Sequence, residues 1–271
     1  MKRKFACSLV IGALTLITLA SSAQSDCSTY SSEHPAFKWS GLQPLILLTE
    51  YNPWAMAVGS DTPTFALYVD GTVIYWQGDR RAGKYVTANL PPSQVSILIN
   101  TAHLDNVEHL TNCYSIFDGT DAPTNVLVVK TPQGYKSIEV YGSIRDMEGI
   151  PADRLPTELQ TAFKTLLAFR SDQAKPWQPP YFEVFIWPFT YAKSAVTWPI
   201  DFPDLADRNT LKGKSGYNLF VPISKLNEYE GFVRKLKQTQ AVLIDGKKWT
   251  TSTRFPFPHE GAPIPPENTH P

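Results

Sequence analysis

The chain has 271 residues, 42% of them hydrophobic and 18% charged, with 25 Lys and Arg balanced by 25 Asp and Glu. This balance leaves no basic stripe, so there is no electrostatic footprint for nucleic acid. No apolar run beyond the first two dozen residues approaches the ~20 residues of a membrane-spanning helix, so no membrane span is expected there.

The N-terminus carries an export pattern. Lys2, Arg3 and Lys4 precede an apolar or small-residue stretch from Leu9 to Ala20, and Ser21, Ser22 and Ala23 follow. That order predicts a cleavable signal peptide over residues 1–23. Cleavage after Ala23 leaves 22 basic against 25 acidic side chains, a net charge of −3. It also removes Cys7 and leaves Cys27 and Cys113, which are expected to pair in an oxidising compartment. By the chain-entropy argument such a bridge contributes roughly 4–5 kcal/mol. Gln24-Ser25-Asp26 is polar and acidic where a lipid-attachment signal carries Leu and small residues, so the expected product is unlipidated and soluble, in the periplasm or outside the cell.

Residues 24–44 are polar and read as an irregular N-terminal arm. The clearest element is a hairpin, in which Phe65–Val69 leads through Asp70-Gly71 into Val73–Trp76. An Asp-Gly pair between β-branched and aromatic residues favours a tight turn with positive φ at both central positions. Pro91-Pro92 then introduces a helix capped by Ser93, with Val95, Leu98, Ile99 and Ala102 on one face. After a loop holding Cys113, a second hairpin runs from Asn125 through Pro132-Gln133-Gly134 to Tyr141. A helix opens at Thr157, where Gln160 completes a capping box.

Farther along, Tyr181–Phe189 predicts a strand broken by Pro188, and Tyr217–Val221 reads as extended. Ser224 is expected to cap a helix with Leu226, Tyr229, Val233 and Leu236 inward. A third hairpin turns at Asp245-Gly246. Hairpins separated by helices predict an α+β fold, antiparallel hairpins packed against a few helices. The division expected is a first lobe over 45–172 and a second over 176–258. Residues 259–271 are Pro-rich and predicted to be a disordered tail.

Pro63-Thr-Phe-Ala-Leu-Tyr-Val-Asp-Gly-Thr-Val-Ile-Tyr75, a Pro-started helix and Asp121-Ala-Pro-Thr124 leading into a hairpin form an ordered outline. So do Trp249 and Arg254-Phe255-Pro256 near the end. This outline resembles an exported bacterial domain family of unknown function found in uncharacterised actinobacterial secreted proteins and lipoproteins. The resemblance implies export and a shared fold, and it brings no catalytic residue with it.

Candidate sites are sparse. Asp118-Gly119-Thr120-Asp121 offers two carboxylates, fewer than the six or more oxygens of a calcium site, and reads first as a turn. His103 and His109 are six residues apart, not at the i, i+4 spacing of a helical metal pair, and no CxxC is present, so neither a metal nor another cofactor is expected. No nucleophile elbow, P-loop or dinucleotide fingerprint occurs, and His259 falls in the tail. The richest feature is aromatic: Trp177, Tyr181, Phe185, Trp187, Phe189, Tyr191, Trp198 and Phe202 lie within 26 residues. Trp177, Trp187, Tyr191 and Trp198 are the binding candidates, as exposed rings able to stack on sugars or grip a peptide. The competing reading has Tyr181, Glu183, Phe185 and Trp187 filling the core of the second lobe. Together these features predict an exported, non-catalytic binding module of the cell envelope, with an envelope protein or glycan as partner. The alternatives are an envelope-polymer hydrolase built on Asp118 or Asp121 with Glu139, and an inhibitor or immunity protein for one enzyme.

Overall fold

The computed structural model describes residues 39–54, 61–79, 83–237 and 239–261. Among them, one set of strands comprises β1 (Pro44–Tyr51), β2 (Phe65–Tyr68), β3 (Thr72–Gln77), β4 (Lys84–Asn89), β5 (Cys113–Ser115), β6 (Thr124–Thr131), β7 (Gly134–Tyr141) and β8 (Lys175–Pro176). A second set comprises β9 (Tyr181–Pro188), β10 (Ser194–Thr197), β11 (Thr210–Lys212), β12 (Tyr217–Pro222), β13 (Gln240–Ile244) and β14 (Lys247–Arg254). The helices are α1 (Pro92–Thr101), α2 (Thr157–Ala168) and α3 (Leu226–Val233). The first set forms one sheet in the order β5-β7-β6-β1-β2-β3-β4-β8, and the second forms another, β10-β13-β14-β9-β12-β11.

The fold is α+β, but the sheets are mixed. β5 pairs parallel to β7, and β10 pairs parallel to β13, so hairpins do not account for every ladder. The β2–β3 loop also departs from expectation. Only Gly71 takes positive φ there, at 84°, while the Asp70 carboxylate accepts a bond from Thr72 N at 2.9 Å. A Cβ at Gly71 would fall 2.2 Å from the Leu90 carbonyl oxygen, so glycine is required by crowding as well as by φ. At Asp245-Gly246 both residues take positive φ, 48° and 72°, as a tight primed turn demands.

The expected helix caps are replaced. α1 starts after Pro91 and α2 after Pro156, and neither uses a side-chain cap. The Gln160 amide donates instead to the carbonyls of Ile150 and Leu155, which secures the preceding loop. α3 is entered through a 3-10 turn at Ile223–Lys225, without a Ser224 side-chain cap. α1 ends with His103 at φ 53°. His103 N donates to Asn100 O and Leu104 N to Ile99 O, the paired bonds of a Schellman stop, with Leu104 buried behind them.

Alternation divides the first sheet into two buried faces. Phe65, Leu67, Val73 and Tyr75 pack with Leu98, Leu159, Phe163 and Leu166 beneath α1 and α2. Ala66, Tyr68, Ile74 and Tyr85 face the other way, against Trp39, Trp177, Phe255 and Phe257. The second sheet buries Phe182, Val184, Ile186 and Leu219 against Tyr229 of α3.

The outer cover of the first sheet comes from the chain end. Beyond β14, Phe255–Glu260 leaves the second sheet and lies over the first. Phe257 is buried, with its ring centre 4.8 Å from that of Trp177 and 5.5 Å from that of Tyr85. Gly41 N and Leu42 N donate to the carbonyls of His259 and Pro258. This corrects the expectation of disorder at the start of the tail: residues 259–261 are seated, and His259 is buried with Nδ1 3.0 Å from the Tyr68 hydroxyl. Phe255 and Phe257 supply the apolar area that the prolines lack. Residues 262–271 lie outside the described residues, as do the expected signal and most of the arm.

Burial lowers the His259 imidazole to about 4, and the Glu260 carboxylate only partly opposes this. A folded-state pKa below the unfolded 6.5 contributes stability that is complete above pH 6.5 and is lost as pH falls through about 4. Burial raises the Glu183 carboxyl, which acts in the opposite sense, so the comparison of variants isolates the histidine. Denaturant unfolding of wild type and His259→Gln between pH 7 and 4 is expected to show a steeper loss in wild type, on the order of 3 kcal/mol across that window.

Candidate functional site

β9 is the element on which the site is built. Phe182, Val184 and Ile186 point to the α3 side, so Glu183, Phe185 and Trp187 point to the opposite face. This reverses the reading in which the odd-numbered side chains fill the core. The odd set contains a carboxylate and the even set is wholly apolar, so burying the even set avoids a charge in the hydrophobic layer.

The outer face has two ends. At the end nearer the first sheet, Glu183 is 3% exposed. Its carboxylate lies 2.6 Å from Arg254 Nε and accepts a bond from Asn218 Nδ2 at 2.5 Å. Arg254 Nη2 reaches Glu260 Oε2 at 2.5 Å. Burial pushes the Glu183 carboxyl up, and the Arg254 guanidinium draws it back. The charges of this cluster are paired within it, which gives it a structural role.

At the far end the face is open. The Phe185 and Trp187 rings stack with centroids 5.5 Å apart and an interplanar angle of 26°. Register sets Ser252 and Asn218 beside Phe185, and Thr250 beside Trp187. Pro188 ends the strand, and the chain turns at once: Phe189 N donates to Lys248 O, and Ala192 N to Phe189 O. The turn packs the Phe189 and Tyr191 rings edge to face at 4.7 Å. Tyr191 is left 82% exposed. Trp187, Phe189, Tyr191, Ala192, Lys193 and Thr250, with Thr239, line a shallow depression of about 450 Å³. Its lining combines aromatic rings with the threonine hydroxyls and the Lys193 ammonium; Tyr191 stands out into solvent and Thr250 is buried. That arrangement can hold a ligand with flat apolar faces and polar edges.

Two of the four predicted binding residues, Trp187 and Tyr191, therefore meet. Trp198 does not join them. It is 6% exposed in the core under α3, and its indole N–H donates to Pro203 O at 2.9 Å. This corrects its assignment as a binding residue: Pro199 and Phe202 fold the chain back over the ring. Trp177 sits elsewhere, against Phe257 and Tyr85, on the wall of an apolar groove of about 520 Å³ with Pro179, Tyr181 and Pro256.

The other candidates separate. Asp118 is paired with Arg154 at 2.5 and 3.0 Å. Asp121 takes φ 64° in its turn, and Glu139 lies in β7. His103 serves the α1 stop. Among the described residues no group of three His, Cys, Asp or Glu side chains is arranged to hold a metal ion. Cys113 opens β5 at the sheet edge, and Cys27 lies outside the described residues. The sequence reading did not single out Lys193 or Thr250. The signal available for Thr250 was the strand alternation of β14, which sets it opposite Trp187. Comparison of the chain with protein-family models, curated proteins and solved structures gave no match.

Trp198 and Tyr191 make opposite predictions. Trp198→Ala is expected to cost about 3–5 kcal/mol by opening a cavity in the core. Tyr191→Ala is expected to stay within ~0.5 kcal/mol of wild type, as for an exposed surface residue. Guanidinium denaturation of both variants checks the pair; equal costs would contradict the burial assignments.

Proposed function

We propose that this chain is an exported, non-catalytic binding module of the cell envelope, and that its ligand seats in the depression between Trp187 and Tyr191. The observation that supports this reading is the presentation of aromatic rings on a rigid sheet face. A β-strand fixes Phe185 and Trp187, and a hydrogen-bonded turn fixes Tyr191, so little ordering entropy is spent when a ligand docks. A hydrolase built on Asp118 is disfavoured because Arg154 already holds that carboxylate. The leader pattern over residues 1–23 and the resemblance to exported domains support an envelope location, where Cys27 and Cys113 would pair. No described helix is long and apolar enough to cross a membrane.

The reading is tested with the purified chain from residue 24 onward, screened by affinity electrophoresis in gels cast with envelope and matrix polysaccharides. Wild type is expected to be retarded in at least one gel. Trp187→Ala and Tyr191→Ala, checked for unchanged melting, are each expected to weaken that retardation roughly tenfold, the equivalent of about 1.4 kcal/mol. Retardation that both variants retain in full would place the ligand elsewhere.

A further inference from the structure

The depression has a chemical bias beyond its rings. Lys193 lies in its lining and is exposed. Lys248 sits on the same outer face as Thr250, and its ammonium donates at 2.7 Å to the carbonyl of Ala192, a residue of the lining, which holds the charge beside the depression. Lys237 precedes Thr239 and is exposed, with its carbonyl accepting from Gln240 N. Among the described residues lining the depression there is no carboxylate.

The wider chain repeats this bias. Residues 176–258 hold 11 Lys and Arg against 7 Asp and Glu, a net +4, whereas residues 24–175 hold 11 against 16, a net −5. Several acids of the second sheet's region are engaged away from the depression: Glu183 by Arg254, Asp201 by Lys225 and Glu230 by Arg234. None of these paired acids lines the depression.

We infer that the ligand of this depression is an anionic glycan, a polysaccharide bearing carboxylate or phosphate groups. The inference rests on the binding function proposed above and adds the charge class of the ligand. The sugar faces stack on Trp187 and Tyr191, and the anionic substituents reach Lys193 in the lining and Lys248 beside it. Ammonium groups suit this role because they act as compact point charges on flexible stems and can follow anions that are irregularly spaced along a polymer. Because Lys193 is exposed and Lys248 half-exposed, salt screens their share of the affinity while the ring contacts remain.

The experiment is isothermal titration of the chain from residue 24 onward with acidic and matched neutral probes. Oligogalacturonate and its methyl ester supply the carboxylate arm. Phosphomannan and unphosphorylated mannan supply the phosphate arm. At least one acidic probe is expected to bind tenfold or more tightly than its neutral partner, with the preference falling severalfold between 50 and 500 mM salt, a range over which the Debye length shortens from about 14 to about 4 Å. Lys193→Gln is expected to remove most of that preference, and Lys248→Gln to do the same if its melting is unchanged. Trp187→Ala is expected to weaken acidic and neutral probes alike. Equal binding of acidic and neutral probes, lost in Trp187→Ala, would overturn the charge inference and leave the binding function standing. Acidic binding that Trp187→Ala leaves intact would mean a diffuse cationic surface and would overturn the site itself. Failure of every acidic probe overturns the inference.

Discussion

The arrangement of the two sheets depends on Arg254. It is the last residue of β14, and its guanidinium spans Glu183 on the second sheet and Glu260 on the segment that lies over the first. Phe255 N, one residue on, donates to Thr62 Oγ1 at 3.1 Å, just ahead of β2. A buried charge pair of this kind adds little net stability over an apolar packing, yet removing one partner leaves a charge stranded out of water, typically at about 3–5 kcal/mol. The cluster therefore fixes a position more than it supplies energy. Once Arg254 is placed, Phe257 and His259 fall over Tyr68 and Tyr85 and close the outer face of the first sheet. The other end of the second sheet's outer face, with Phe185 and Trp187, stays open.

The two halves of that face illustrate one principle. Glu183 and Trp187 share a strand and a direction, four residues apart. The first is enclosed because the chain end folds over it, and its polar atoms are met by Arg254 and Asn218. The second remains accessible because Pro188 stops the strand and the following turn curls beside the ring without covering it. The buried charge cluster lies at one end of the face and the proposed binding depression at the other, so the ring platform rests on a sheet clamped close by.

Much of this was legible in the residues where the signal is local. Asp70-Gly71 and Asp245-Gly246 marked their hairpins because a tight turn needs glycine at positive φ. α1 and α2 followed from apolar spacing. The register of β9 was harder, since Tyr181–Trp187 carries aromatic or aliphatic side chains at both parities. Glu183 was the deciding residue, because a carboxylate marks the face away from the hydrophobic layer. The parallel pairings of β5 with β7 and of β10 with β13 join segments far apart in sequence, and no local pattern encodes them. His259 was read as tail because prolines surround it, although Phe255 and Phe257 just before it are the anchors that draw it under cover. Trp198 looked like its neighbours in composition; only the return of the chain through Pro199 to Phe202 buries it.

The central claim is that ligand meets the chain on the open half of the second sheet's outer face. Tryptophan indole N–H resonances report on it directly, because Trp187 lines the depression, Trp198 and Trp249 are buried under the same sheet, and Trp177 lines the separate groove. Titrating an acidic oligosaccharide into uniformly ¹⁵N-labelled chain should shift the Trp187 indole signal in a saturable way while those of Trp198, Trp249 and Trp177 stay in place. A saturable shift at Trp177 with Trp187 unmoved would contradict the account.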